Sequence, residues 1–141
     1  MTVITRTAEV STRIGTDIVD ITDLVAGHLA GSGIQQGAVL LFVPGSTGAL
    51  TTIEYESGVI QDLADAVERV APRDIPYAHD RRWGDGNGYS HVRAALLGPS
   101  LYIPVVDGRL CLGTWQQVVL INFDNRARQR RLVIQFMGEG E

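Results

Sequence analysis

The hexapeptide Ala38-Val-Leu-Leu-Phe-Val43 is wholly apolar and is stopped at once by Pro44-Gly45. A run of this length, bounded by turn residues, offers no polar side to water and predicts a central strand buried on both faces. Covering such a strand requires other layers, so the rest of the chain is read for the elements that could supply them.

Strand signals dominate the remainder. Thr2 to Arg13 is rich in β-branched residues and loosely alternating, as in an edge or near-edge strand. Ala49 to Glu56 alternates clearly, and Leu101–Val105, Arg109–Leu112, Gln117–Phe123 and Arg131–Met137 complete the set. Asp107-Gly108 falls between two apolar runs, the pattern of a two-residue hairpin turn. The expected fold is therefore α+β: a single domain over residues 1–141, mainly an antiparallel β-sandwich with a few helices.

Three helices are expected. Ile21, Leu24, Val25, His28 and Leu29 share one helical face, with Asp20 or Thr22 as N-cap and Gly31-Ser-Gly33 as stop. Ser57 is expected to cap a second helix, whose stripe is Val59, Ile60, Leu63, Val67 and Val70 and which Pro72 ends. A short third helix, capped by Asn87 or Ser90, turns Val92, Ala95 and Leu96 inward and closes at Gly98-Pro99. Between the second and third, Asp74 to Gly88 lacks periodicity and reads as a long loop, a feature that in a compact domain usually signals function or mobility.

Composition removes several function classes. A net charge of -4 argues against a nucleic-acid partner, and the chain has no apolar run of membrane-spanning length. With no basic and apolar leader either, a cytoplasmic protein is expected. All twelve Lys/Arg positions are arginine, which rules out Schiff-base, pyridoxal-phosphate and Walker-type lysine chemistry and leaves bidentate arginine contacts to phosphate or carboxylate. The lone Cys111, in Leu110-Cys-Leu112, reads as a small buried hydrophobe.

Chemistry concentrates in Tyr77-Ala-His79-Asp80 and Asn87-Gly-Tyr-Ser-His91, which gather two of the three histidines and several carboxylates around a Gly-rich loop. His79 and His91 can converge on one divalent metal ion, or serve as hydrogen-bonded pocket residues; His28 reads as structural. Asp80 and Asp85 can ligate, orient an imidazole or take a proton, or simply cap the loop. Glu54, beside the Gly45-Ser46-Thr47 turn, is either a site carboxylate or half of an arginine ion pair.

Pro44-Gly-Ser46-Thr47-Gly48 can offer backbone N–H groups and hydroxyls to an anion, or be a tight turn. Arg93 is a candidate phosphate ligand, whereas Arg109 reads as a surface ion pair. Trp115 can stack on a ligand ring or cap the core, and Gln116 can offer its amide to a ligand or to its own loop. The Arg126-Ala-Arg-Gln-Arg-Arg131 run reads as a solvated turn with edge-strand protection.

The run from Asn87-Gly-Tyr-Ser-His91 through Leu-Gly-Pro-Ser-Leu-Tyr-Ile-Pro104, followed by Asp107-Gly-Arg-Leu-Cys-Leu-Gly-Thr-Trp115-Gln116, resembles the YjbQ-type family (UPF0047). Val43-Pro-Gly-Ser-Thr47 before Glu54, Tyr77-Ala-His79 and Phe123-Asp124 before Arg126-Ala-Arg128 support the match, which extends over nearly the whole chain. The resemblance implies a compact α+β fold, a homotrimer, and a histidine-lined pocket that holds a metal or an anion. It also implies a secondary thiamine-phosphate synthase activity, joining hydroxymethylpyrimidine diphosphate to a thiazole phosphate.

In that reaction His79 and His91 would hold metal or diphosphate, and Asp80 or Glu54 would orient or accept a proton. Ser46, Thr47, Arg93, Trp115 and Gln116 would contact the phosphorylated ligand. Many members carry a histidine where this chain has Gly45, and an asparagine where it has Asp80. A three-histidine metal site would thereby become a two-histidine site. The alternative reading is a non-catalytic ligand-binding or regulatory trimer.

Overall fold

The computed structural model describes residues 1–140. Two antiparallel sheets form the frame. The larger has five strands in the order β1 (Thr2–Ser11), β8 (Gln129–Glu139), β3 (Gln36–Phe42), β5 (Ser100–Val106) and β6 (Arg109–Leu110). The smaller has β2 (Asp17–Asp20), β7 (Gln117–Asn122) and β4 (Gly48–Ile53) in that order. The expected α+β architecture is present, with β1 at a sheet edge as its sequence suggests.

One apolar core fills the space between the sheets. Val39 and Leu41 of β3, with Leu132, Ile134 and Phe136 of β8, meet Leu50, Val118 and Leu120 of the smaller sheet. Helix α1 (Thr22–Ser32) seals one end with Val25 and Leu29. The N-cap of α1 is Ile21 rather than Asp20 or Thr22; Asp20, one residue before it, accepts the backbone N–H of Thr22 at 2.9 Å and so still satisfies a helix-start donor.

A second core lies on the other face of the smaller sheet, where Ala49, Val119, Ile121 and Phe123 pack against Val67 of α2 (Ser57–Val70) and Ala94 of α4 (Gly88–Leu97). Strand β7 is thus enclosed on both faces. Strand β3 is central in its sheet, but its outer side is only partly covered: the small Ala38 is buried, Leu40 is half-buried and Phe42 is exposed. The expectation of two buried faces for Ala38–Val43 holds for its position in the sheet and not for its burial.

Local chemistry explains the other departures. The cap of α2 is Glu56 rather than Ser57, its carboxylate accepting from the N–H groups of Gly58 and Val59 at 2.8 and 2.9 Å. A six-residue helix, α3 (Ala78–Trp83), stands inside the expected loop; it is too short to show an apolar stripe. Helix α4 turns Tyr89, Ser90, Arg93 and Ala94 inward, leaving Val92 and Leu96 exposed. Arginine can occupy that buried face because its guanidinium binds the Ala71 carbonyl, the Thr16 hydroxyl and the Glu68 carboxylate.

The Asp107-Gly108 hairpin forms as its sequence requires, with both residues at positive φ, 51° and 72°. Cys111, by contrast, is exposed. With β6 only two residues long, the segment leaves the sheet at Leu110 and the thiol gains no covering layer.

Candidate functional site

The pair α3 and α4 forms a tight hairpin that presents the loop chemistry. Its closure depends on Gly88, where a Cβ would lie 2.7 Å from the Cβ of Tyr77. Tyr77 is itself tied back through its hydroxyl to the Pro72 carbonyl at 2.6 Å. Asp80 joins the two helices by accepting the Gly88 N–H at 2.9 Å. His79 at the start of α3 and His91 in α4 are thereby brought ring to ring, with centroids 4.4 Å apart.

His79 Nδ1 lies 3.2 Å from Asp80 Oδ1 and 3.5 Å from Asp85 Oδ1. The donor atoms of these three residues all fall within 4.8 Å of one another. One imidazole and two carboxylates make a borderline-to-hard donor set suited to a divalent cation, so the residues fit the metal that the resemblance implies. The sequence pairs His79 with His91 as ligands; the cluster instead groups His79 with two aspartates, and His91 flanks it through its ring.

This cluster opens onto a polar hollow of about 450 Å³, whose opposite wall comes from the β3–β4 turn and the β7–β8 connection. Ser46 and Thr47 line it from the turn, as do Trp83, Asn87, Asp124, Arg128 and Arg130 from elsewhere. An apolar hollow of about 250 Å³ adjoins and shares Gly45, Ser46 and His91.

Asp124 organises the far wall. It is fully buried, and its carboxylate accepts from Thr47 Oγ1 at 3.0 Å, Asn87 Nδ2 at 3.2 Å, the Asn125 N–H at 2.8 Å and Arg128 Nε at 2.9 Å. Burial alone would push its pKa up, but the hydrogen bonds from Asn87, Thr47 and Arg128 outweigh that and hold it below the ordinary carboxylate value. Asn125 also reaches Asp85, donating to its carbonyl at 3.0 Å, which fixes the His/Asp loop to the β7–β8 connection.

Four candidate residues stand elsewhere. Glu54 is exposed beyond Ile53, at the opposite end of β4 from Thr47. Arg93 is buried with its guanidinium engaged by Ala71, Thr16 and Glu68. Trp115 is exposed rather than core, and Gln116 closes its own turn by accepting from the Gly113 N–H and donating to Thr52.

Sequence reasoning misses Trp83, Arg128 and Arg130, and treats Asn87 only as a helix cap and Asp124 only as a motif residue. For Arg130 a signal exists. It has the same strand parity as Leu132, Ile134 and Phe136, so the alternation that turns those three into the core turns it inward too.

Fold and pocket together define a small α+β protein carrying a His/Asp cluster able to coordinate a metal ion. The family model for UPF0047, YjbQ-like proteins, matches residues 6–139, and the chain belongs to that family.

A UPF0047 protein of Methanothermobacter thermautotrophicus is 36% identical over 139 residues, covering 99% of this chain and 95% of the relative. One from Archaeoglobus fulgidus is 38% identical over 118 residues, covering 84% and 89%. Among solved structures, a YbjQ-like protein of unknown function from Sulfolobus solfataricus superposes with a TM-score of 0.92 at 32% identity, covering 98% of this chain and 99% of that one.

Proposed function

We propose that the hollow binds a phosphorylated metabolite together with a divalent cation. His79, Asp80 and Asp85 would hold the cation, and Ser46, Thr47 and the arginine-bearing wall would hold the phosphate. The observation that carries this reading is the separation of charge across one cavity. Two carboxylates and an imidazole converge on one side, and two arginines with a single buried carboxylate stand on the other. A divalent cation there supplies positive charge close to a ligand phosphate.

Calorimetry with hydroxymethylpyrimidine diphosphate and with a thiazole phosphate, each in the presence of Mn²⁺, tests the reading. Saturable binding of either compound supports it, and absence of binding by both contradicts it.

A second reading adds catalysis. The polar and apolar hollows are contiguous through Gly45, Ser46 and His91, which favours two ligands side by side. In the transfer implied by the family resemblance, the thiazole nitrogen bonds to the pyrimidine methylene carbon as the bond to the diphosphate oxygen breaks. The protein's part would be to position the partners and to bear the departing charge. Chromatographic detection of thiamine phosphate from the two precursors separates this from binding alone.

The reading includes a cytoplasmic homotrimer. Phe42, Tyr102 and Val106 on the uncovered face of the larger sheet are 42%, 66% and 47% exposed, an apolar surface of the kind that drives association. Light scattering of the purified protein tests it, a monomeric mass being the contrary result.

A further inference from the structure

Arg130 is a buried cation with unused donors. It is 6% exposed, and Nη2 carries both of its side-chain hydrogen bonds, to Thr47 Oγ1 at 2.7 Å and Asn122 Oδ1 at 2.5 Å. Its Nε is enclosed without any partner among the described residues. A guanidinium has five N–H donors, so these two bonds leave most of its capacity free. The group stays protonated, because arginine does not lose its proton in proteins.

No carboxylate among the described residues pairs with it. Asp124 is the nearby acid, but its oxygens are occupied by Thr47, Asn87, Asn125 and Arg128, and Arg128 alone forms the ion pair. A buried charge without a counter-ion is costly, and a bound anion would remove that cost.

Two glycines keep side-chain atoms away from the guanidinium. A Cβ at Gly45 would stand 2.9 Å from Arg130 Nη1, and one at Gly48 would stand 3.2 Å from Cζ. Gly45 also has φ +145°, a conformation that side-chain-bearing residues rarely adopt. With Nη2 anchored to Thr47 and Asn122, the guanidinium cannot easily withdraw from a side chain placed at residue 45. Asn87 on the same hollow donates Nδ2 to Asp124 and leaves the acceptor Oδ1 without a donor, so it could take a hydroxyl or N–H of a ligand but not its phosphate.

We propose that Arg130 is the anion receptor of this pocket, taking the phosphate group of the ligand through Nη1, and that Gly45 is the aperture through which the phosphate reaches it. The proposal rests on the reading above only in that the ligand carries a phosphate; it does not depend on the metal. Arg130 also organises Thr47 and, through it, Asp124, so the receptor is rigid before the ligand arrives.

The test is a titration of the metal-free protein, in chelator and at constant ionic strength, with inorganic pyrophosphate followed by calorimetry. Wild type is expected to bind saturably. Gly45→Ala, which retains Arg130, is expected to lose about tenfold or more in affinity, the scale of a charge-assisted hydrogen bond. Arg130→Gln should lose binding altogether, and Arg109→Ala, on the exposed hairpin, should match wild type. Circular dichroism confirms folding; if Arg130→Gln does not fold, Gly45→Ala carries the test. Undiminished pyrophosphate affinity in a folded Gly45→Ala or Arg130→Gln protein overturns the proposal while leaving a phosphate-binding pocket in place. No binding by wild type overturns both.

Discussion

Thr47 and Asp124 are bonded side chain to side chain at 3.0 Å, although 77 positions separate them in sequence. The same Thr47 hydroxyl receives Arg130 Nη2 at 2.7 Å. One threonine thus ties the β3–β4 turn to the β7–β8 connection and forms the floor on which the arginine-bearing wall stands. Asp124→Ala removes the acceptor of four donors and takes from Arg128 its ion-pair partner. We expect it to destabilise the fold by about 3 kcal/mol, read as a lower urea midpoint.

The depressed pKa of Asp124 makes the same residue a source of acid sensitivity. Its folded value lies below that of the unfolded chain, near about 4, so its contribution is fully present above that pH and is lost as pH falls through the folded value. Melting temperature followed from neutral pH downward should therefore fall less steeply in Asp124→Asn than in wild type. Parallel acid limbs would contradict the assignment.

Arg93 provides a contrast with Arg130. Its guanidinium is consumed by Ala71, Thr16 and Glu68, which fasten α4 to the end of α2. Arg93→Ala should cost about 2 kcal/mol of stability and leave pyrophosphate affinity unchanged in the folded protein, measured by urea unfolding and calorimetry.

Two glycine-to-alanine exchanges should act in opposite directions. Gly37 faces Gly138 across the β3–β8 ladder, and a Cβ at Gly37 would lie 2.0 Å from the Met137 carbonyl oxygen. Gly37→Ala should separate the central strands and destabilise by about 3 kcal/mol or more, as overpacking does. At Gly27, in α1, an added methyl group would meet nothing within 4 Å, and Gly27→Ala should stabilise by about 0.5–1 kcal/mol. Thermal unfolding of both variants reads the two signs.

Much of this is legible in the sequence because it is local. The alternating strands, the Asp107-Gly108 turn and the amphipathic stripe of α2 each follow from neighbouring residues. His79, Asp80 and His91 stand out because polar, ligating side chains cluster in one Gly-rich segment. Asp124, Arg128 and Arg130 do not, because their function depends on Thr47 and Asn87, which only the packed sheets deliver.

A charge-rich run ordinarily lies in solvent, so Arg130 reads with its arginine neighbours rather than with the inward parity of Leu132 and Ile134. Trp115 and Glu54 show the reverse case, standing apart from the hollow. Both residue types suggest ligand chemistry, and both sit where the fold gives them water.

The proposed cation site joins His79, Asp80 and Asp85 beside the arginine-bearing wall. The most direct measurement is calorimetric titration of Mn²⁺ or Zn²⁺ into phosphate-free, metal-stripped protein, with His79→Ala and Asp85→Asn in parallel. One saturable site per chain is expected in wild type, weakened by about tenfold or more in Asp85→Asn and abolished in His79→Ala. Equal affinity in wild type and a folded His79→Ala protein, or no binding by wild type, would contradict it.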